Sequence, residues 1–304
     1  MTAGADAGQA SRMAAIGAMQ RRLEAAGYIC ERDLAATLLL MGELHRPLLV
    51  EGDPGVGKTE IAKALAKTHE TTLIRLQCFE GLDIHHALYE WNYQRQLLAI
   101  RMAEAAGGGG LDEEALFSGA YLLKRPLLEA LLHATPAVLL IDEIDRADEA
   151  FEAFLLEVLS DYQVSVPEMG TIRAASIPLV VLTSNATREL SDALRRRCLY
   201  YYLASPSFAK ELAILQLRLP GLPDRLGRQI VEFTQALRQL GLKKQPGIAE
   251  TLDWAAALLG LGITVLDEAG PEGIRDTLAA LVKTREDLQV LEPVALARLL
   301  ALAG

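Results

Sequence analysis

Apolar residues recur at helical spacing over residues 13–26 and again over 33–44, which predicts two opening helices. Gly27 breaks them apart, with Tyr28 and Ile29 in the break. The period then changes. Residues 47–51 form a short apolar run entering a Gly-rich turn, and similar runs recur at 73–76, 137–141, 179–183 and 199–203. Each has the length of a buried strand, and helical text separates most of them. Strands and helices alternating in this way predict a parallel sheet covered on both faces.

Two stretches depart from that alternation. About sixty residues separate the second and third runs, too many for a bare connection, so an inserted element is expected at about 79–135. It carries a predicted helix over 83–104 and the glycine spacer 107–110. A second departure lies at about 162–174, where alternating residues flank Pro167 and Gly170 and predict a β-hairpin. Beyond Ser205-Pro206 the strand signal stops. Amphipathic helical text broken at Gly221, Pro246, Gly262 and Gly270 fills the rest. The expected division is an α/β nucleotide-binding domain over 1–204 and an all-helical lid over 205–304.

Composition narrows the class. Of 304 residues, 51% are apolar and only 5% aromatic, a balance that suits a helix-rich globular chain with an ample core. The formal net charge of −10 argues against a nucleic-acid-binding or anionic-membrane-binding protein, both of which call for a basic face. No apolar run approaches a membrane span, and the first twenty residues read as a loose terminus without targeting features. A cytoplasmic location without membrane insertion is expected. Cys30, Cys78 and Cys198 are far apart and lack ligand spacing, so they are read as reduced, incidental thiols.

The chemistry is concentrated in one motif. Gly52-Asp53-Pro54-Gly55-Val56-Gly57-Lys58-Thr59 matches the phosphate-binding P-loop in full, follows a predicted strand and opens a predicted helix at Glu60. Glycines let backbone N–H groups curl around phosphates, Lys58 reaches the terminal phosphates of ATP, and Thr59 ligates Mg2+. The buried run at 138–141 delivers Asp142 and Glu143 at its carboxyl end, where open α/β sheets bind ligands. Asp142 is expected to hold Mg2+, and Glu143 to polarise the attacking water. Asn185, in Thr183-Ser184-Asn185 at the end of the fourth run, can orient that water without competing for the metal. Arg197 closes a run of three arginines and is the candidate finger for a neighbouring subunit's γ-phosphate; a solvated basic face is the alternative. Tyr28 and Ile29 are candidates to flank the adenine.

With P-loop, acid pair, sensor Asn, arginine and helical lid in this order, the chain resembles the AAA+ ATPases. More narrowly it is similar to the MoxR family. The carrying residues are 52–59, Leu140 to Ala147 (Leu-Ile-Asp-Glu-Ile-Asp-Arg-Ala), the run 155–159 before the hairpin, and Leu182 to Asn185. Gln77 to Asp83 and Leu88 to Tyr93 are similar to the branch typified by CoxD, a carbon monoxide dehydrogenase maturation ATPase.

The resemblance implies a five-stranded sheet in order 5-1-4-3-2 with a helical lid. Its insert and hairpin match the family's elaborations, which face the central pore or the client. It implies hexameric rings with ATP at subunit interfaces and a partner carrying a von Willebrand factor A domain. The client would be a metalloenzyme, in this branch a molybdenum hydroxylase. Arg197 aligns with a Ser-Arg-Cys finger, with Arg196 in place of the serine. The family's lid offers an arginine in a Ser-Pro-Arg phrase. The comparable stretch here, 243–250, contains Lys243 and Lys244 but no arginine.

Two other functional classes are open. One is a nucleic-acid loader or motor on the same core; the other is a nucleotide-gated scaffold that does not hydrolyse. His85 and His86, with Asp83 and Glu90 nearby, invite a metal reading. Adjacent helix residues point about 100° apart, though, so exposed insert residues are the expected role. Trp91 and Tyr93 are expected to pack within the insert rather than grip a client.

Overall fold

The five apolar runs become five strands of one sheet. In the computed structural model, which describes residues 3–105, 112–167 and 169–303, the chain opens with α1 (Ala3–Ala25) and α2 (Arg32–Leu44). Then follow β1 (Leu48–Glu51), α3 (Lys58–Thr68) and β2 (Leu73–Gln77). The insert comprises α4 (Ile84–Ala87), β3 (Tyr89–Trp91), α5 (Tyr93–Ala105), α6 (Glu113–Leu116), β4 (Leu122–Lys124) and α7 (Pro126–Leu132). After it come β5 (Val138–Asp142), a 3-10 turn (Ile144–Arg146), α8 (Glu149–Asp161), the hairpin β6 (Gln163–Val166) and β7 (Gly170–Arg173), β8 (Leu179–Ser184), α9 (Asp192–Arg197) and β9 (Leu199–Tyr202). Six helices complete the chain: α10 (Phe208–Arg218), α11 (Asp224–Arg238), α12 (Ile248–Gly260), α13 (Leu266–Thr277), α14 (Arg285–Val290) and α15 (Pro293–Ala303).

The sheet runs β2-β5-β8-β1-β9 and every pairing in it is parallel. Numbered by the sheet's own strands, this is the expected order 5-1-4-3-2. All five residues of β5 are buried, as a central parallel strand requires. Register sets what sits side by side at the carboxyl ends: Gln77 opposite Asp142, Ile141 opposite Leu182, and Glu51 opposite Ser184.

Two compact units emerge. The first comprises residues 1–19, 32–51 and 62–202, and the second residues 20–31, 52–61 and 203–304. The P-loop segment therefore clusters with the C-terminal helices rather than with the sheet. Each unit has its own apolar core. In the first, sheet residues such as Leu139 and Leu182 join Phe151 and Leu155 of α8. In the second, Phe233 and Trp254 stack at 4.8 Å between ring centroids, and Trp254 Nε1 donates to Thr277 Oγ1 at 2.8 Å. Among the described residues no helix is long and apolar enough to cross a membrane.

Three local expectations need correction. The first twenty residues are not loose, because the helix begins at Ala3; their alanine-rich text has high helix propensity. The helix expected over 83–104 is two helices split by β3. Asp83 caps the first by accepting from the N–H of His86, and Asn92 caps the second by accepting from the N–H of Arg95. Between them Tyr89, Glu90 and Trp91 alternate in, out and in, and pair with β4. Trp91 packs edge-on against Phe117 at 5.2 Å, whereas Tyr93 is 66% exposed, so only the tryptophan belongs to the insert's core. The break expected at Gly270 is present, by contrast: its left-handed φ of 63° interrupts the helical backbone within α13, and Pro271 follows it. The glycine spacer 107–110 lies outside the described residues.

Candidate functional site

The P-loop follows β1 and belongs to the second unit. Gly55 and Gly57 both take left-handed backbone, with φ of 82° and 98°, which side-chain-bearing residues adopt at a cost. Lys58 is buried, and its Nζ donates to the carbonyls of Gly52 at 2.7 Å and Asp53 at 2.9 Å. A Cβ at Gly52 would stand 2.3 Å from the Leu203 carbonyl oxygen, so the loop's first glycine is required by a close backbone crossing. Glu60, at the start of α3, pairs with Arg218 at 2.6 Å. Residues 20–31, which include Tyr28 and Ile29, share this unit, and Glu31 pairs with Lys210 at 2.8 Å.

The segment before α12 meets this loop backbone to backbone. Ile248 N–H donates to the Gly55 carbonyl at 3.0 Å, and a Cβ on Gly247 would lie 2.7 Å from both Gly55 Cα and its oxygen. A cavity of about 680 Å3 beside the contact is lined by Asp53 to Val56 and by Lys243, Lys244 and Lys283. Arg238 also lines it, but its guanidinium is committed to Glu211, Pro246 and Thr251. Gly247→Ala tests the contact. Its φ of −86° suits alanine, so only the clash with Gly55 should register. The expected loss is about 1–3 kcal/mol in urea unfolding. Gly260→Ala, which meets nothing within 4 Å, should leave stability unchanged or raise it.

The acid pair belongs to the first unit. Asp142 ends β5, buried; the Arg75 guanidinium donates to its Oδ2 at 2.6 and 3.0 Å, and the Thr183 hydroxyl donates to Oδ1. Thr183 Oγ1 in turn accepts from the N–H of Glu143 at 2.9 Å, so one hydroxyl fixes both acids. Glu143 has left-handed backbone, φ 57°, which turns its side chain out of the strand direction. Its Oε2 accepts from Gln77 Nε2 at 3.1 Å and pairs with Arg146 at 3.3 Å. Burial, with Asp142, Asp145 and Glu143 close by, pushes the Cys78 thiol up to about 12, so it stays protonated. Cys198 is likewise pushed up to about 12 by burial.

Asn185 follows β8, one residue beyond Ser184, whose Oγ accepts from the N–H of Ala186 at 3.0 Å. The three arginines diverge. Arg195 pairs with Glu51 at 3.2 Å, Arg197 Nη2 donates to the Ser160 carbonyl at the end of α8, and Arg196 is exposed. His85 and His86 face different rings, Tyr89 and Phe79, and His86 Nδ1 lies 2.7 Å from Asp83.

A family model described as AAA domain (dynein-related subfamily) matches residues 47–198, half of the chain. The chain belongs to this family. The matched AAA segment runs from the entry to β1 to the end of α9, and so includes the P-loop, the acid pair and the three arginines. Among curated proteins it is similar to the chaperone protein ClpB of Chlamydia trachomatis, 28% identical over 159 residues, which are 50% of this chain and 16% of ClpB. An uncharacterized protein of Staphylococcus aureus (strain bovine RF122 / ET3-1) is 26% identical over 232 residues, 72% of this chain and 78% of that one. The chain thus spans about a sixth of the length of its ClpB relatives. Among solved structures, the RuvB Holliday junction branch migration motor of Thermotoga maritima aligns at TM-score 0.43 and 18% identity, over 82% of this chain and 67% of that one.

Several residues of this AAA chain were not evident as site residues from sequence. Gln77 and Arg75 stand on β2, beside the acids, and only the sheet order brings them there. Gly247 and Gly55 are two glycines among many until their backbones are seen to touch.

Proposed function

We propose that this chain binds Mg2+ and ATP and hydrolyses ATP. The carrying observation is a complete P-loop directly after β1, in a chain whose β5 ends in Asp142 with Glu143 next and whose β8 carries Thr183, bonded to both acids. The residues fit the ligands. Positive-φ Gly57 meets nothing within 4 Å where a side chain would be, leaving the loop interior open to a phosphate, and Lys58 supplies a buried cation there. Thr59 and Asp142 are hard oxygen donors of the kind Mg2+ takes. When bound, Mg2+ neutralises charge on the phosphate oxygens. Lys58 holds the terminal phosphates, Glu143 draws a proton from the attacking water, and Asn185 orients that water. Gln77 and Arg146, already bonded to Glu143, set where its carboxylate rests. Tyr28 and Ile29 flank the adenine, and Glu60 closes the loop's helix start.

The wider reading is a MoxR-type chaperone of the CoxD-like branch. It divides into an AAA+ domain over 1–204 and a lid over 205–304, and works as a hexameric ring in which Arg197 reaches the next subunit's nucleotide. Its partner carries a von Willebrand factor A domain, and its client is a metalloenzyme such as a molybdenum hydroxylase. The similarity of residues 77–83 and 88–93 to that branch supports this, as does the −10 charge, which disfavours nucleic acid as substrate.

Glu143→Gln, loaded with ATP, is expected to bind nucleotide without turnover and so to retain its client during affinity capture from native cells. Recovery of a von Willebrand factor A protein with a metal-dependent oxidoreductase supports the maturation reading. Recovery of nuclease-sensitive material or replication proteins overturns it in favour of a loader.

A further inference from the structure

An arginine that reaches into a neighbouring subunit needs a backbone that stays in place when its side chain meets charge. Arg197 is the last residue of α9, a helix of six residues, too few to hold a helix by its own hydrogen bonds. The carbonyls at its end are the acceptors that a helix leaves unsatisfied. The Cys198 N–H serves those of Leu194 and Arg195. The Arg46 guanidinium serves the next three. Its Nη2 donates to the Arg196 carbonyl at 2.6 Å and the Cys198 carbonyl at 3.2 Å, and its Nε donates to the Arg197 carbonyl at 3.1 Å. One planar fork thus gathers three successive carbonyls with charge-assisted bonds.

Arg46 is itself held. His45 follows α2 with left-handed backbone, φ 50°, and the Arg46 N–H returns to the Met41 carbonyl at 3.3 Å, a closure that stops a helix at such a residue. The Tyr162 hydroxyl donates to the His45 carbonyl at 2.9 Å, and burial pushes that hydroxyl up to about 12, so it remains a donor at neutral pH. Next in the chain, the Pro47 carbonyl accepts from the Leu199 N–H at 2.7 Å. From there β1 and β9 run parallel with Leu48 opposite Leu199, so the register of the sheet sets Arg46 beside residues 196–198.

The Arg197 side chain rests on the end of α8, where its Nη2 donates to the Ser160 carbonyl. Arg46, Arg196 and Arg197 line one cavity of about 550 Å3 with Ser160, Asp161 and Tyr162. We propose that Arg46 is a positioning residue for ATP hydrolysis: by fixing the carbonyls of residues 196–198 it sets the backbone from which Arg197 reaches the γ-phosphate bound to a neighbouring copy. The inference rests on the ring reading above, in which Arg197 acts between subunits, and adds the residue that mounts it. Lysine replaces Arg46 only in part, because an ammonium is a single point donor and lacks the fork that spans the three carbonyls.

Phosphate release by copies assembled with Mg2+ and ATP tests it. Arg46→Met keeps the apolar stem and loses the donors. It is expected to slow turnover about a hundredfold, the scale of a slightly misplaced catalytic group, with KM for ATP and sedimentation unchanged. Arg46→Lys should fall between Arg46→Met and wild type, and stands in for it if the methionine variant fails to fold.

A finger serves the neighbour's site, so the defect should be cured in trans. Arg46→Met is therefore mixed, before assembly, with Glu143→Gln, in which Arg46 and Arg197 are intact. The mixture is expected to recover about a quarter of the wild-type rate, because in a head-to-tail array one site in four then pairs an intact Glu143 with a well-mounted finger. Damage confined to the variant's own subunit would not be cured. Arg197→Ala, alone and mixed in the same way, is the reference. If Arg197→Ala is slow and recovers on mixing, but Arg46→Met is as fast as wild type or stays slow when mixed, Arg46 does not position the finger although the finger stands. If Arg197→Ala turns over normally, or does not recover on mixing, the finger is wrong and the role of Arg46 falls with it.

Discussion

Lys58→Ala is expected to lose nucleotide affinity by about two to four orders of magnitude. Hydrogen bonds to charged groups are each worth about 1.5–3 kcal/mol. Two such contacts to the terminal phosphates sum to about 3–6 kcal/mol, and each 1.4 kcal/mol is tenfold in affinity. The side chain is already organised for this task. Its Nζ rests on the Gly52 and Asp53 carbonyls inside the loop, so little reorganisation separates the free from the bound arrangement. Those carbonyls lose their donor in the variant, which adds a modest stability cost. Fluorescence titration with a labelled ATP analogue measures the affinity, with circular dichroism as the check that the fold persists. Affinity within threefold of wild type would mean that the P-loop lysine does not touch phosphate.

The largest expected effect on stability lies away from the loop. Arg238→Ala should cost about 3–5 kcal/mol, because it strands a buried carboxylate. Glu211 is 0% exposed, and Arg238 meets both of its oxygens at 2.6 and 2.8 Å. What remains to Glu211 is the Thr251 hydroxyl at 3.1 Å and Gln235 Nε2 at 3.3 Å, neither of them charged. Arg238 Nε also donates to the Pro246 carbonyl at 2.8 Å, one residue before the glycine that meets Gly55. Losing the arginine should therefore loosen the contact between Gly247 and the P-loop as well. Urea unfolding compares the single variant with Arg238→Met combined with Glu211→Leu. The pair replaces two buried charges by apolar groups and should recover most of the loss. A single-variant cost below 1 kcal/mol would mean that water reaches Glu211.

The inner strands were legible because a parallel sheet buries both of their faces, so β5 appears as the unbroken apolar run 138–141, whereas the edge strand β2 is interrupted by the exposed Arg75. The P-loop was legible because phosphate binding restricts both residue type and spacing. The small β3–β4 sheet was not: three-residue strands are too short for alternation to stand out from the helical text on either side. Partnerships across the sheet were also hidden. Nothing local to Gln77 says that it faces Glu143, because the pairing of β2 with β5 spans the whole insert. The Gly55–Gly247 contact was hidden for a related reason. The stretch 243–250 was singled out for lacking an arginine, whereas what its glycine provides is room for two backbones to touch.

Steady-state phosphate release with ATP, with and without Mg2+, tests the central claim most directly, using wild type and Glu143→Gln over a range of protein concentration. The account predicts Mg2+-dependent turnover by wild type, with a rate per subunit that rises as copies assemble, and none by Glu143→Gln although it still binds ATP. Turnover by Glu143→Gln equal to wild type, or a wild-type chain that binds ATP and never releases phosphate, would contradict it.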